Sequence, residues 1–285
     1  MRFAQAEAAM TASEPAPDDE RMLPLSRLPA SVRAGLRGIF FDIDETLTTG
    51  GRLTAEAYGA LEALHESGLI VVPITGRPAG WCDHIARMWP VDAVVGENGA
   101  FYFRYDRRAR RLIRRFLQPE AERRENRRRL AALGERILAA VPGAALASDQ
   151  GYRESDLAID WCEDVAPLPR AAVERIVALF DEAGATAKIS SIHVNGWFGI
   201  YDKLAMTRIL MEEAFGLDLE AERSRFVFVG DSPNDSPMFR YFPHAVGVAN
   251  VRDFIGRKMA APRYVTERRA GAGFAEVAAA LLSGR

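Results

Sequence analysis

A chain of 285 residues, 48% hydrophobic and 27% charged, is long enough for about two domains of roughly 150 residues and apolar enough to build their cores. Its 37 basic and 39 acidic side chains leave a net charge of −2, which excludes a globally cationic nucleic-acid coat and a supercharged disordered chain. No stretch approaches the roughly 18 apolar residues of a membrane span, and Cys82 and Cys162 lack metal-type spacing, so the expectation is a soluble cytoplasmic protein with no membrane partner, zinc site or disulfide framework.

Residues 1–36 alternate Ala, Pro and acid (Ala12-Ser13-Glu14-Pro15-Ala16-Pro17) and hold no sustained period of 2 or 3.6. They are expected to form a disordered tail, within which Met22 is a second candidate start. From Gly38 onward, short apolar runs of buried-strand type (Ile39–Phe41, Leu69–Ile74, Ala93–Val95, Phe226–Val229 and Ala245–Val248) alternate with helical patterns at Thr54–Ser67, Pro78–Met88, Lys203–Phe215 and Ala272–Leu282. Strand followed by helix, repeated, predicts a doubly wound parallel α/β core over residues 37–104 and 196–285. Between its halves, residues 105–195 read as an inserted α+β domain. The hairpin Phe101–Tyr105 with Leu112–Leu117, around an Arg-rich turn, is read as part of it. Helices are expected at Glu120–Val141 and Arg170–Ala183, and short strands at Leu157–Trp161, Ala187–Ile189, Ile192–Val194 and Phe198–Tyr201. No internal repeat of 20 to 50 residues is present.

Three of the buried strands end in chemistry. Ile39-Phe40-Phe41 runs into Asp42-Ile43-Asp44-Glu45-Thr46, Val71-Val72-Pro73-Ile74 into Thr75-Gly76-Arg77, and Phe226-Val227-Phe228-Val229 into Gly230-Asp231-Ser232-Pro233-Asn234-Asp235. Ligands bind at the carboxyl ends of strands in an open parallel sheet, so these endings are expected to converge. Asp42, Asp44, Asp231 and Asp235 are too many carboxylates to gather without compensating cations, which implies a divalent metal. Hard oxygen ligands without neighbouring His or Cys favour Mg2+. Lys203 opens a helix after the insertion, within reach of the same cluster. A metal, a lysine, the Thr75 hydroxyl and backbone N–H groups around Gly76 make a receptor for a phosphoryl group. The first carboxylate can attack phosphorus to give an aspartyl phosphate. The second, displaced by the turn off the strand, can protonate the leaving alcohol and deprotonate water.

These residues, in this order, resemble the four motifs of the haloacid dehalogenase-like (HAD) phosphohydrolase superfamily: Asp42-Ile43-Asp44-Glu45-Thr46, Thr75, Lys203 and Gly230-Asp231-Ser232-Pro233-Asn234-Asp235. The resemblance covers about residues 38–104 and 196–270. An insertion between the second and third motifs resembles the C2 cap, and Glu97-Asn98-Gly99-Ala100 resembles the Cof-like, type IIB branch of sugar-phosphate phosphatases. It implies a Rossmann-like α/β core with an α+β cap, Asp42 as nucleophile and Asp44 as acid/base. It further implies Mg2+ on the carboxylates of Asp42 and Asp231 and the backbone carbonyl of Asp44, with Asp235 orienting Lys203 or a metal-bound water, and Thr75, Lys203 and Asn234 on the phosphate. Glu45 departs from the Gly that many type IIB members carry, and Asp202-Lys203-Leu204 replaces the commoner Lys-Gly.

Other signals are weaker. A lone Asp-x-Asp-x-Thr reads as a cap or turn; only the ordered set carries the argument. From Arg104 to Arg129, twelve arginines face four acids, a local +8. A solvated face is the simpler reading; attraction of an anionic substrate, or of nucleic acid through the interleaved Phe101, Tyr102, Phe103, Tyr105 and Phe116, is the other, and nucleic acid is not the expected partner. His193 and Asn195 share one side of a short strand and are candidates for the substrate's leaving group, or for a hydrogen-bonded interface between cap and core. The expected function is Mg2+-dependent hydrolysis of a small phosphomonoester, a sugar phosphate first of all; a phosphosugar mutase and a non-catalytic Arg-rich binding module are the alternatives. Substrate identity and oligomeric state are not legible in the sequence.

Overall fold

The computed structural model of the protein describes residues 22–254 and 259–283. Their strands are β1 (Leu23–Pro24), β2 (Gly38–Phe41), β3 (Ile70–Pro73), β4 (Val94–Gly96), β5 (Phe101–Asp106), β6 (Arg111–Phe116), β7 (Ala145–Leu146), β8 (Leu157–Asp160), β9 (Thr186–Ile189), β10 (His193–Trp197), β11 (Phe226–Gly230), β12 (Val246–Gly247) and β13 (Tyr264–Val265). Six of them form one parallel sheet in the order β1-β13-β12-β11-β2-β3. β2 and β11 are buried along their whole length, the pattern of parallel strands covered on both faces. Because successive side chains alternate, Ile39 and Phe41 pack toward the helices Ala55–Glu66 and Ala270–Leu282, while Phe40 faces Met206 and Leu210 of the helix Lys203–Phe215. This is the doubly wound arrangement expected from the sequence.

The third apolar run behaves differently from its neighbours. β4 touches β3 through the single bridge Ile74–Val95 and otherwise pairs antiparallel with β5, which pairs with β6. Phe101 and Phe103 stack at 4.4 Å, Phe116 meets them tilted and edge-on at 5.3 and 5.6 Å, and all three join the core, so these aromatics are packed away from any base. The hairpin therefore belongs with the core sheet, and the limits expected at 105 and 195 fall inside β5 and β10.

The insertion has its own antiparallel sheet, β7-β8-β10-β9. Leu157, Ile159 and Val194 pack on one face under the helices Glu120–Ala140 and Arg170–Glu182. Alternation puts Asp160, His193 and Asn195 on the other face, with His193 opposite Asp160. The strand expected at Phe198–Tyr201 is absent: Gly199 at φ +121° turns the chain, and Tyr201 stacks back on Trp197 at 5.3 Å.

The tail expected over 1–36 is corrected from Met22 onward; residues 1–21 lie outside the described residues. β1 pairs with β13, a short helix spans Ala30–Gly35, and Met22, Leu25, Leu28 and Leu36 are buried against the core. Cys82 and Cys162 are unbonded to each other, and among the described residues no helix is long and apolar enough to cross a membrane.

Candidate functional site

β11, β2 and β3 are adjacent, so their three polar endings share one edge of the sheet. The ladder runs one residue past β2, with Asp42 N–H donating to Val229 O at 2.9 Å, which fixes the first carboxylate beside the Asp231 turn. That turn is built by Asp235, whose Oδ2 accepts the N–H groups of Asp231 (3.1 Å) and Ser232 (3.4 Å). A Cβ on Gly230 would meet this oxygen at 2.4 Å, so only glycine admits it.

Carboxylate oxygens of Asp42, Asp231 and Asp235 lie within 4.8 Å of one another, and all three residues are buried. Lys203 Nζ reaches Asp42 at 2.7 Å and Asp235 at 2.8 Å. It is aimed there because Asp202 caps the helix Lys203–Phe215 by accepting the Ala205 N–H, so the helix begins at Lys203. Burial pushes the Asp42 carboxyl up to about 7, against the pull of Lys203 and with the help of Asp235 and Asp44. Burial also raises Asp231, reinforced by Asp42 and Asp235, although Thr46 and Asn250 donate to its two oxygens at 3.3 and 3.2 Å. For Lys203, burial acts to lower the pKa, but Asp235 and Asp42 outweigh it and hold the ammonium charged. Three carboxylates facing one ammonium leave a negative surplus in a dry, all-oxygen setting, a donor set that fits Mg2+. Asp235 is committed to Lys203 and to its own turn, which leaves Asp42 and Asp231 as the side chains best placed to hold a cation.

Asp44 stands apart from that trio. Its carboxylate is gripped by Arg77, whose Nε lies 3.0 and 3.1 Å from the two oxygens and whose Nη2 lies 2.8 Å from one of them. Arg77 is buried, stacks on Trp81 at 4.4 Å, and carries its other contacts into the insertion: Nη2 to Glu163 at 2.6 Å and Nη1 to Asp149 at 3.4 Å. Glu163 in turn lies 2.9 Å from His193 Nε2. Burial acts to raise the Glu163 carboxyl, but His193 and Arg77 outweigh it and hold it at about 2.

Thr75 and Gly76 sit where β3 ends. The Thr75 hydroxyl accepts the Arg77 N–H at 3.0 Å. Gly76, His193, Asn195 and Asn234, together with Asp42, Asp44 and Arg77, line a cavity of about 10 Å³, roughly the space of one water. Asn195 donates to Asp156 at 3.1 Å, and Ile192 lines the cavity too. All ten residues singled out from the sequence therefore lie in this region, with Asp42, Asp231, Asp235 and Lys203 in direct contact or close clustering and the rest around the cavity or the loops behind it.

Sequence reasoning missed Arg77 and Glu163. Arg77 carried a signal, lying two residues after Thr75 in a loop already singled out. Glu163 carried none, since it is 86 residues further on in an irregular segment. The role of Glu97 was also unread: it is fully buried, its carboxylate accepts the N–H groups of Ala79, Glu154, Ser155 and Asp156 at 2.6–3.2 Å, and so it ties the insertion to the core. Glu45, the departure noted in the first motif, occupies φ +57°, the left-handed region that glycine favours.

Residues 39–123 match the family model described as haloacid dehalogenase-like hydrolase. No curated protein matches the sequence. Among solved structures, the chain is similar to protein 0175 of Thermoplasma acidophilum (17% identity, TM-score 0.64, covering 86% of this chain and 98% of that one). It is similar to the sucrose-phosphatase of Synechocystis sp. PCC6803 (15% identity, TM-score 0.58, 86% and 98% covered). It is also similar to the HAD subclass IIB sugar phosphatase BT4131 (16% identity, TM-score 0.54, 86% and 96% covered).

Proposed function

We propose that this chain, which matches the haloacid dehalogenase-like hydrolase model over residues 39–123 and shares a fold with solved structures, is a Mg2+-dependent phosphatase of small phosphorylated metabolites, sugar phosphates foremost. The observation that supports this best is the cluster of Asp42, Asp231, Asp235 and Lys203 at the ends of adjacent parallel strands, opening on a cavity whose far wall belongs to the insertion. The neighbours described as sucrose-phosphatase and sugar phosphatase, similar in fold, point the same way.

In this reading Asp42 and Asp231, with the backbone carbonyl of Asp44, hold Mg2+, which when bound supplies positive charge to the phosphoryl oxygens. Lys203 holds Asp42 in one orientation and adds a second positive charge. Asp42 attacks phosphorus; the P–O bond to the leaving group breaks as Asp44 protonates that oxygen, leaving an aspartyl phosphate and the free alcohol. Asp44, now a carboxylate, takes a proton from water, which attacks phosphorus, releases inorganic phosphate and restores Asp42. Thr75, Gly76 and Asn234 bind the phosphoryl oxygens, while His193 and Asn195 face the alcohol. A cavity of water size admits no such substrate, so the insertion must lift from the core and return in each turnover.

Phosphate release from a panel of phosphorylated metabolites, with Mg2+ and with excess chelator, tests the reading. Metal-dependent release from at least one sugar or polyol phosphate is expected; no release from any phosphomonoester would overturn it.

A further inference from the structure

On its insertion side the cavity presents Ser190, Ser191, His193 and Asn195, and on its core side Asp44 and Arg77. Hydroxyl, imidazole and carboxamide groups hydrogen-bond neutral hydroxyls well. The guanidinium facing the cavity is that of Arg77, already held by Glu163 at 2.6 Å, and His193 Nε2 lies 2.9 Å from the same carboxylate. Arg77 also serves Asp44 and Asp149, so one guanidinium answers three carboxylates. Glu163 is not there by accident of a loose loop. The buried Asp160 accepts the backbone N–H groups of Cys162, Glu163 and Asp164 at 2.8–2.9 Å, a side-chain turn that sets the Glu163 backbone at the mouth of the site.

Resting on the phosphatase reading of this site, we propose that Glu163 is a specificity-determining residue, restricting the enzyme to phosphate esters of neutral polyhydroxy leaving groups and turning away those whose leaving group carries a carboxylate. A carboxylate entering this cavity loses its water, meets Asp44, and finds the guanidinium already neutralised; the unpaired charge is what rejects it. A hydroxyl in the same place meets the Ser, Asn and His groups at no such cost. Removing the Glu163 charge frees one side of the Arg77 fork, the geometry that binds carboxylates in pairs of hydrogen bonds.

The test uses two substrate pairs, each differing by CH2OH against COO⁻: glycerol 3-phosphate with 3-phosphoglycerate, and sorbitol 6-phosphate with 6-phosphogluconate. In the wild type, kcat/KM is expected to favour the neutral member of each pair by at least tenfold, and in Glu163→Gln that ratio is expected to fall at least tenfold. A wild type that prefers the acids, or a ratio unchanged in Glu163→Gln, overturns the inference; equal losses on both members would mean that Glu163 only supports the closed form. Calorimetric titration of the same four compounds into the Asp42→Asn protein with Mg2+ separates this inference from the phosphatase reading. Neutral members binding tenfold tighter to this variant, where the wild type releases phosphate from none of the four, would keep the inference and end that reading, equal affinities would end the inference, and no binding of any of the four would end both. If circular dichroism shows Glu163→Gln unfolded, the wild-type ratios and these affinities decide.

Discussion

Arg77 grips Asp44 by two nitrogens, Nε and Nη2, at 2.8–3.1 Å, and the same guanidinium reaches across to Glu163 in the insertion. The proposed proton donor is therefore held by a core residue that also reaches Glu163 and Asp149 of the insertion, so one guanidinium ties Asp44 to both parts of the chain. Replacing Arg77 by Met leaves Asp44 and Glu163 facing each other without their cation. Removing one partner from a buried ion pair costs about 3–5 kcal/mol, and Asp44 and Glu163 keep some solvent, so a loss of about 2–3 kcal/mol is expected. For a chain of this size that is a fall of roughly 5–10 °C in Tm by calorimetry, with at least a tenfold loss in kcat on a polyol phosphate. An unchanged Tm would mean that water, not Arg77, compensates the two carboxylates.

Asp42 illustrates function bought with stability. Its carboxyl sits at about 7 in the folded protein against 3.8 in an unfolded chain, chiefly through burial. Between those values the folded state keeps a proton that the unfolded state has released, so the metal-free protein loses stability as pH rises from about 4 to about 7 and recovers none above. Asp42→Asn removes this penalty. Its metal-free form is expected to melt several degrees higher than the wild type at pH 8 and no higher at pH 4, while turnover falls more than about a hundredfold because an amide is no nucleophile. Equal Tm differences at both pH values would contradict the linkage, and a variant keeping more than a hundredth of the wild-type rate would remove Asp42 as nucleophile.

The carboxylate cluster sets the metal dependence. With excess chelator, Asp42 and Asp231 face the substrate dianion with Lys203 as their neighbouring cation, and activity is expected to vanish. Titrating Mg2+ back should raise Tm at pH 8 with saturation, because the ion binds a site that the unfolded chain lacks. Ca2+ should raise Tm as well yet support little turnover, since its seven or eight ligands invite both oxygens of Asp42 into coordination and spoil the line of attack. Full activity in chelator would end the metal assignment.

What the sequence disclosed and what it concealed divide by the range of the interactions. β2 and β11 are apolar runs ending abruptly in Asp42 and Gly230-Asp231, because parallel strands covered on both faces must be apolar throughout while their carboxyl ends meet the ligand. Asp202 announces the helix start that aims Lys203, again a local rule. Leu25 and Leu28 stand in a Pro-interrupted stretch with no sustained period of 2 or 3.6, so the pattern hid them, although both are buried against the core. Phe198–Tyr201 has strand-like composition, yet Gly199 and the stacking of Tyr201 on Trp197 take it out of the sheet. The Arg77–Glu163 contact depends on how a separately folded insertion lies over the core, and no local pattern in either segment encodes it.

The arginines between Arg104 and Arg129 can now be sorted. Arg114, Arg115, Arg127 and Arg128 pair with Asp83, Glu213, Glu154 and Glu125 at 2.6–3.1 Å, and Arg123 and Arg129 lie over the rings of Phe116 and Phe198. Arg107, Arg108, Arg110 and Arg111 are exposed at the hairpin turn, which Asp106 closes by accepting the Ala109 N–H at 2.8 Å. At about 3.3 Å per residue, the turn stands about 20 Å beyond Phe101 along β5. That exceeds the Debye length of about 8 Å at 0.15 M salt but not that of about 30 Å at 0.01 M. Changing all four to Ser is therefore expected to leave kcat/KM unchanged at 0.15 M and to lower it by no more than about threefold at 0.01 M, through association alone. A loss of kcat that persists at high salt would contradict this, and would require one of these arginines to reach the substrate directly.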